Sequence, residues 1–209
     1  MSGAPETAIN GTYSFPLVAL SIVMAVIASY FALDLTGRVT ASTGGFRKAW
    51  IGGGAVVMGV GVWSVHFIGM LAFSASPTAY SVLTGLVSMV IAVLASGVAL
   101  SGVSRERMTP LRLSGSGVFM ALGILGLHYV GMGGMRLQTG ISYEPLLVAL
   151  SAVIALGASL AALWLAYQLR PGSSTRGLKL GSALAMGGAI SGTHYTGMAA
   201  ARFTPAGER

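Results

Sequence analysis

The sequence predicts an all-α membrane protein with six transmembrane helices, arranged as three helical-hairpin repeats of one orientation with pseudo-threefold symmetry. Three observations carry this expectation. The 209 residues include only 12 Lys+Arg and 5 Asp+Glu, so 8% are charged and 54% hydrophobic, whereas an ordinary soluble domain is roughly 25% charged. Six apolar runs reach the length of about 20 residues that a span needs. All three histidines sit in copies of one short motif. A soluble fold of this size needs a charged shell that this chain lacks, and a disordered chain would be polar. The net charge of +7 gathers in short clusters between apolar runs, which argues for membrane orientation and against nucleic acid as a partner. The absence of cysteine removes disulfides, thiolate metal sites and thiol catalysis.

The six expected spans are 13–33, 49–73, 80–101, 113–135, 145–169 and 180–201, forming one domain over 1–209. The first is too long for a signal-peptide core, and Glu6 is the only charged side chain before it. Arg38, Arg47 and Lys48 follow the first run, Arg105, Arg107 and Arg112 the third, and Arg170, Arg176 and Lys179 the fifth. The segment 74–79 has no charge, and Arg136 is the only basic residue of 136–144. Nine of twelve basic residues thus lie on one side, which the positive-inside rule makes cytoplasmic, with both termini outside. Tyr13, Tyr80 and Tyr143 open the inward-going runs as interfacial aromatics do.

The second, fourth and sixth runs carry Trp63-Ser64-Val65-His66-Phe67-Ile68-Gly69-Met70, Leu125-Gly126-Leu127-His128-Tyr129-Val130-Gly131-Met132 and Ser191-Gly192-Thr193-His194-Tyr195-Thr196-Gly197-Met198. Each copy contains His-aromatic-x-Gly-Met, and Met58, Met120 and Met186 precede the histidines at one offset. Gly-Met would fall at a set offset three times by chance with a probability of about 5 × 10⁻⁷, so duplication explains the pattern. Repeats of two helices share one orientation and are related by an axis along the membrane normal. The even-numbered runs, rich in Gly and Ala, are expected to line that axis, and the odd-numbered runs to be peripheral. The histidines should then converge near the outer face.

His and Met at i and i+4 share a helix face. His66, His128 and His194 offer imidazoles, and Met70, Met132 and Met198 offer thioethers. Imidazole suits several transition metals and thioether selects Cu(I), so copper matches the set best. Burying an ionisable side chain in a membrane is costly, which favours a functional role for the histidines. Packing is the competing role for the methionines and the stronger one for Met58, Met120 and Met186. Phe67, Tyr129 and Tyr195 suit belt anchoring, and Tyr129 and Tyr195 can also hydrogen-bond a ligand. Arg136 and Arg202 read as interface snorkelers, and Asp34 and Glu144 as solvated caps. There is no P-loop, nucleophile elbow, zincin motif or intramembrane carboxylate pair, so no enzyme is expected. Heme is the alternative cofactor, although two axial ligands would leave one histidine over. Transport of a small ion or metal is the alternative function, although few polar residues extend the path.

The motif resembles the MHYT domain of bacterial membrane signalling proteins, most closely at Thr193-His194-Tyr195-Thr196-Gly197-Met198, and the likeness covers nearly the whole chain. The resemblance implies a sensory module of the bacterial cytoplasmic (inner) membrane. It implies copper at the repeated residues, sensing of a diatomic gas (oxygen, carbon monoxide or nitric oxide) or of redox state, and a cyclic-di-GMP or kinase output domain or partner protein. The chain departs from the family at the residue before each histidine, where Val65, Leu127 and Thr193 replace methionine. That position points about 100° away from the histidine and need not share its cavity. With the C-terminus outside, a cytoplasmic output would need a further span beyond Arg209, so the chain reads as a stand-alone form or a truncated sensory region.

Overall fold

The computed structural model describes residues 12–73, 79–105, 107–136, 139–169 and 176–205; Glu6, Ser74, Arg170 and Arg209 lie outside the described residues. Six helices coincide with the six predicted runs: α1 (Phe15–Ala41), α2 (Gly44–Leu71), α3 (Val82–Val103), α4 (Pro110–Gly133), α5 (Pro145–Gln168) and α6 (Arg176–Ala200). The first five are long and apolar enough to cross a membrane. α6 matches them in length with 25 residues, while Gly, Ser and Thr dilute its apolar content. Proline occupies the first turn of α1, α4 and α5, where its missing N–H removes a donor that had no helical partner. Ser81 and Thr109 cap α3 and α4 by accepting the Thr84 and Arg112 amides.

The helices pack as a closed ring in which each touches its neighbours in sequence and α1 touches α6. The odd-numbered helices carry one repeated inward stripe: Ser21-Ala25-Ser29 on α1, Ser88-Ala92-Ser96 on α3 and Ser151-Ala155-Ser159 on α5, all buried. Small residues allow close approach of helices in a membrane. Glycines use the same device at single contacts, with Gly59 of α2 against Val93 of α3 and Gly187 of α6 against Val26 of α1. Large apolar side chains such as Phe31, Leu94, Leu122 and Val153 face outward, so polar groups lie inside and hydrocarbon outside. At the seam Lys179 of α6 donates to Asp34 of α1 at 2.7 Å, and Arg38 donates to the same carboxylate.

Several expectations are corrected here. Asp34 and Arg38 lie within α1, because the helix runs on through a residue pair at i,i+4 spacing. Asp34 is thus the anchor of a three-residue ion pair across the seam and not a solvated cap. Glu144 stands at the N-cap of α5 without a capping bond, and its carboxylate pairs with Arg202, so Arg202 is an ion-pair partner as well as an exposed side chain.

Short extended segments add to the helices at the end where α2, α4 and α6 finish. β1 (Ala79–Tyr80) pairs antiparallel with β2 (Met135–Arg136), and β3 (Thr139–Tyr143) with β4 (Ala201–Pro205). Tyr13 bridges Phe73 in the same sense. In each case the residue leading into an odd helix donates its amide to a carbonyl at the end of the following even helix, Ser14 to Ala72, Ser81 to Gly134 and Glu144 to Ala200, all at 2.8 Å. These stretches are too short to show a period-two pattern in sequence.

The expected division into axial even helices and peripheral odd helices holds at one end only. At that end the central cavity is lined by α2, α4 and α6 alone. Toward the other end a cavity of about 30 Å³ is lined by all six helices, with Ala32, Ala99 and Ala162 beside Met58, Met120 and Met186. Alanine on the odd helices lets them reach the axis there.

Candidate metal centre

α2, α4 and α6 bring His66, His128 and His194 together on the axis, with the three residues 3%, 4% and 5% exposed. Their ring centroids stand 5.1, 5.2 and 5.2 Å apart, and the planes are close to perpendicular in every pair. One nitrogen from each ring lies within 4.8 Å of the other two. His66 Nδ1 and His194 Nδ1 are 3.3 Å apart. Two nitrogens bound to one ion at about 2.0–2.1 Å stand about 3.3–3.6 Å apart, so this pair already has the spacing of ligands to a shared ion.

The sequence places each ring by a local rule. The residue three positions after each histidine is glycine, and it meets the histidine of a neighbouring helix: Gly69 meets His194, Gly131 meets His66 and Gly197 meets His128. A Cβ at any of the three would overlap the imidazole Nε2. Among the described residues, His66 Nε2, both ring nitrogens of His128 and His194 Nε2 are buried without a hydrogen-bond partner. Buried nitrogens left unpaired are costly in an apolar interior. One nitrogen from each of three imidazoles converges on a common region, a donor set that transition-metal ions take, so the residues fit a metal ion.

Met70, Met132 and Met198 are buried one turn beyond the histidines, in one cluster with Met135 and Phe203 and flanked by Phe73, Tyr80 and Ile141. Phe203 of β4 stacks on Phe73 at 5.2 Å and so helps cover this cluster. On the other side of the triad, a cavity of about 20 Å³ is bordered by the three rings and by Val62, Val65, Ile124, Leu127, Ile190 and Thr193. Val65, Leu127 and Thr193 therefore border the histidine cavity, a placement that helix angle alone leaves open. The even helices face the axis with a wide arc, so residues one and four before each histidine line it as well.

Tyr129 and Tyr195 turn their hydroxyls to neighbouring helices. Tyr129 bonds Ser151 at 2.9 Å and Tyr195 bonds Ser21 at 2.7 Å, while both rings stand edge-on to their own histidine at 4.9 Å. In the first repeat Phe67 has no hydroxyl, and Trp63 Nε1 donates to Gly85 O at 3.0 Å and Ser88 Oγ at 3.2 Å. Sequence reasoning missed these serines. The signal was present as Ser-x₃-Ala-x₃-Ser in each odd-numbered run. The Arg136 side chain lies outside the described residues.

Comparison with known proteins identifies a repeat family. The chain matches the MHYT family, described as "Bacterial signalling protein N terminal repeat", over residues 3–48, 59–116 and 122–177. It is 47% identical over 194 residues to the bifunctional diguanylate cyclase/cyclic di-GMP phosphodiesterase MucR of Pseudomonas aeruginosa, covering 92% of this chain and 28% of that protein. It is 42% identical over 196 residues to the cyclic di-GMP phosphodiesterase NbdA of the same organism, covering 91% and 25%. It is 39% identical over 199 residues to the signaling protein YkoW of Bacillus subtilis, covering 93% and 25%. The chain thus spans about a quarter of the length of the curated relatives it matches. No solved structure matches it.

Proposed function

The chain belongs to the MHYT family of bacterial membrane signalling repeats, and from that membership we propose that it is a sensory module holding a copper ion at His66, His128 and His194. The observation that carries the proposal is the buried triad, with one nitrogen from each ring within 4.8 Å of the others. Met70, Met132 and Met198, one turn away, supply soft donors that favour Cu(I). Bound copper would supply a one-electron couple and a position for a small ligand. The chain's own residues do the rest. The imidazoles hold the ion, and the methionine cluster with Phe73 and Phe203 screens it from water. Tyr129 and Tyr195 brace the rings through Ser151 and Ser21. The apolar cavity beside the triad has the size and lining for a diatomic gas such as oxygen, carbon monoxide or nitric oxide, which makes gas or redox state the sensed signal.

The wider reading follows from the same features. α6 crosses the membrane with the other five helices, so six spans form three hairpins about a pseudo-threefold axis in the inner membrane, with both termini outside. The 2.8 Å tie that closes each hairpin and the recurring serine stripe support that symmetry. The module itself is non-catalytic. It acts on a cyclic-di-GMP output, because MucR and NbdA, of which this chain matches about a quarter, are a diguanylate cyclase/cyclic di-GMP phosphodiesterase and a cyclic di-GMP phosphodiesterase. Heme is set aside because three imidazoles in mutual contact around a cavity of about 20 Å³ leave no slot for a porphyrin. A transport path is set aside because the lining of the cavity beyond the triad is apolar except for Thr36, whose hydroxyl donates to the Ala32 carbonyl of its own helix.

Metal analysis and an absorption spectrum of the chain purified in mild detergent test the proposal. The expected result is about one copper per chain, lost when His66, His128 and His194 are all replaced by alanine. A Soret band, or full copper stoichiometry in the triple variant, would overturn it.

A further inference from the structure

We infer that Gly69, Gly131 and Gly197 select the ligand atom of the triad: each seats the Nε2 edge of one imidazole, which leaves Nδ1 as the donor facing the axis. The inference rests on the metal reading above and adds to it the donor atom and the residues that impose it.

Two observations combine. The first is the notch. Three residues after each histidine a glycine replaces a side chain, and an imidazole from another helix fills the space: α6 onto α2, α2 onto α4 and α4 onto α6. Because Nε2 occupies the place of a Cβ, no volume remains for an ion between it and the neighbouring main chain. Gly133, Gly188 and Gly192 on the same helices face open space, so the contact belongs to one repeated position and not to glycine content in general. The second observation is the opposite edge of the ring. His66 Nδ1 and His194 Nδ1 face each other at 3.3 Å across the axis, and the third ring stands at near right angles to both. An imidazole that binds metal through Nδ1 keeps its proton on Nε2, the nitrogen that the glycine main chain seats in each of the three rings.

The choice of nitrogen bears on sensing. Nδ1 lies nearer the main chain than Nε2 does, so the ion sits close to three helix backbones. A change in helix spacing acts on the metal–nitrogen bonds with little side-chain flexibility in between, and a change in the preferred bond geometry acts back on the helices. Gly69, Gly131 and Gly197 are positioning residues in this scheme, since they touch the imidazoles and not the ion.

The test uses the whole chain in detergent, labelled with ¹⁵N at histidine and loaded with Cu(I), which is diamagnetic. Long-range ¹H–¹⁵N correlation spectra should show Nδ1 as the metal-bound nitrogen and Nε2 as protonated in all three histidines. Gly69→Ala should weaken Cu(I) binding about 10–100-fold, as loss of an orienting contact does, and should disturb His194 most. Gly192→Ala should leave both unchanged. Binding through Nε2 at any of the three, or wild-type affinity in Gly69→Ala, Gly131→Ala and Gly197→Ala, overturns this inference while leaving a copper site in place. Failure of the wild-type chain to bind copper overturns the metal reading itself and this inference with it. If an alanine variant does not fold, the wild-type spectrum decides alone.

Discussion

Tyr195 and Trp63 solve the same problem with different chemistry. Tyr195 stands against His194 and Trp63 against Phe67; each carries a polar atom into an apolar helix pair and bonds a serine of the stripe, Ser21 or Ser88. Bonds of this kind between membrane helices contribute modestly, so Tyr195→Phe should destabilise the fold by about 0.6–1.7 kcal/mol. Reversible unfolding in mixed micelles reads that difference, and a loss above about 3 kcal/mol would mean that Tyr195 supports more than the serine contact. Leu127 is 2% exposed and borders the triad cavity at a position where the family carries methionine. Leu127→Met conserves volume and adds a thioether beside the imidazoles. It should raise the preference for Cu(I) over Cu(II), seen as a higher copper reduction potential; an unchanged potential would place that side chain away from the ion. The histidines, the glycines and the methionines were legible in the sequence because each recurs at one offset. Which nitrogen faces the axis was not, because it depends on a notch in another helix.

Between elements, the main device is small residues at fixed places. Gly59 brings α2 against the main chain of Val93 on α3, and Gly187 does the same for α6 against Val26 on α1. A larger residue there has no flexible side chain to push aside, because main-chain atoms are in the way. Gly59→Val should therefore separate α2 from α3 and lower stability by about 1–3 kcal/mol, checked by thermal aggregation in detergent. The same substitution at Gly53, which faces open space, should have little effect. Helix identity and approximate limits were readable from apolar length. The paired extended segments at the histidine end were not, because they depend on partners such as Tyr143 and Ala201, far apart in sequence.

For the whole molecule, closure of the ring joins the first helix to the last. Lys179 and Arg38 share Asp34 at this seam, where the Lys179 side chain is only 19% exposed. The charge asymmetry of the connecting segments predicts which end faces the cytoplasm, and the chain has no native cysteine to confuse labelling. A single cysteine in place of Ser42, between α1 and α2, should react with a membrane-impermeant maleimide only after cells are opened. One in place of Thr12, before α1, should react in intact cells. Labelling of position 42 from outside would reverse the orientation, and with it the placement of the triad near the outer face.

Composition and repetition determined the membrane class, the number of helices and the three histidines that converge, because these are properties of local stretches and their spacing. Only the tertiary structure decided how those stretches face one another. Val65, Leu127 and Thr193 turned out to share the histidine cavity, and the odd-numbered helices reach the axis at the far end. Both outcomes depend on where small residues on one helix meet larger ones on the next. That matching of surfaces is a property of helix pairs, and no single helix's periodicity contains it.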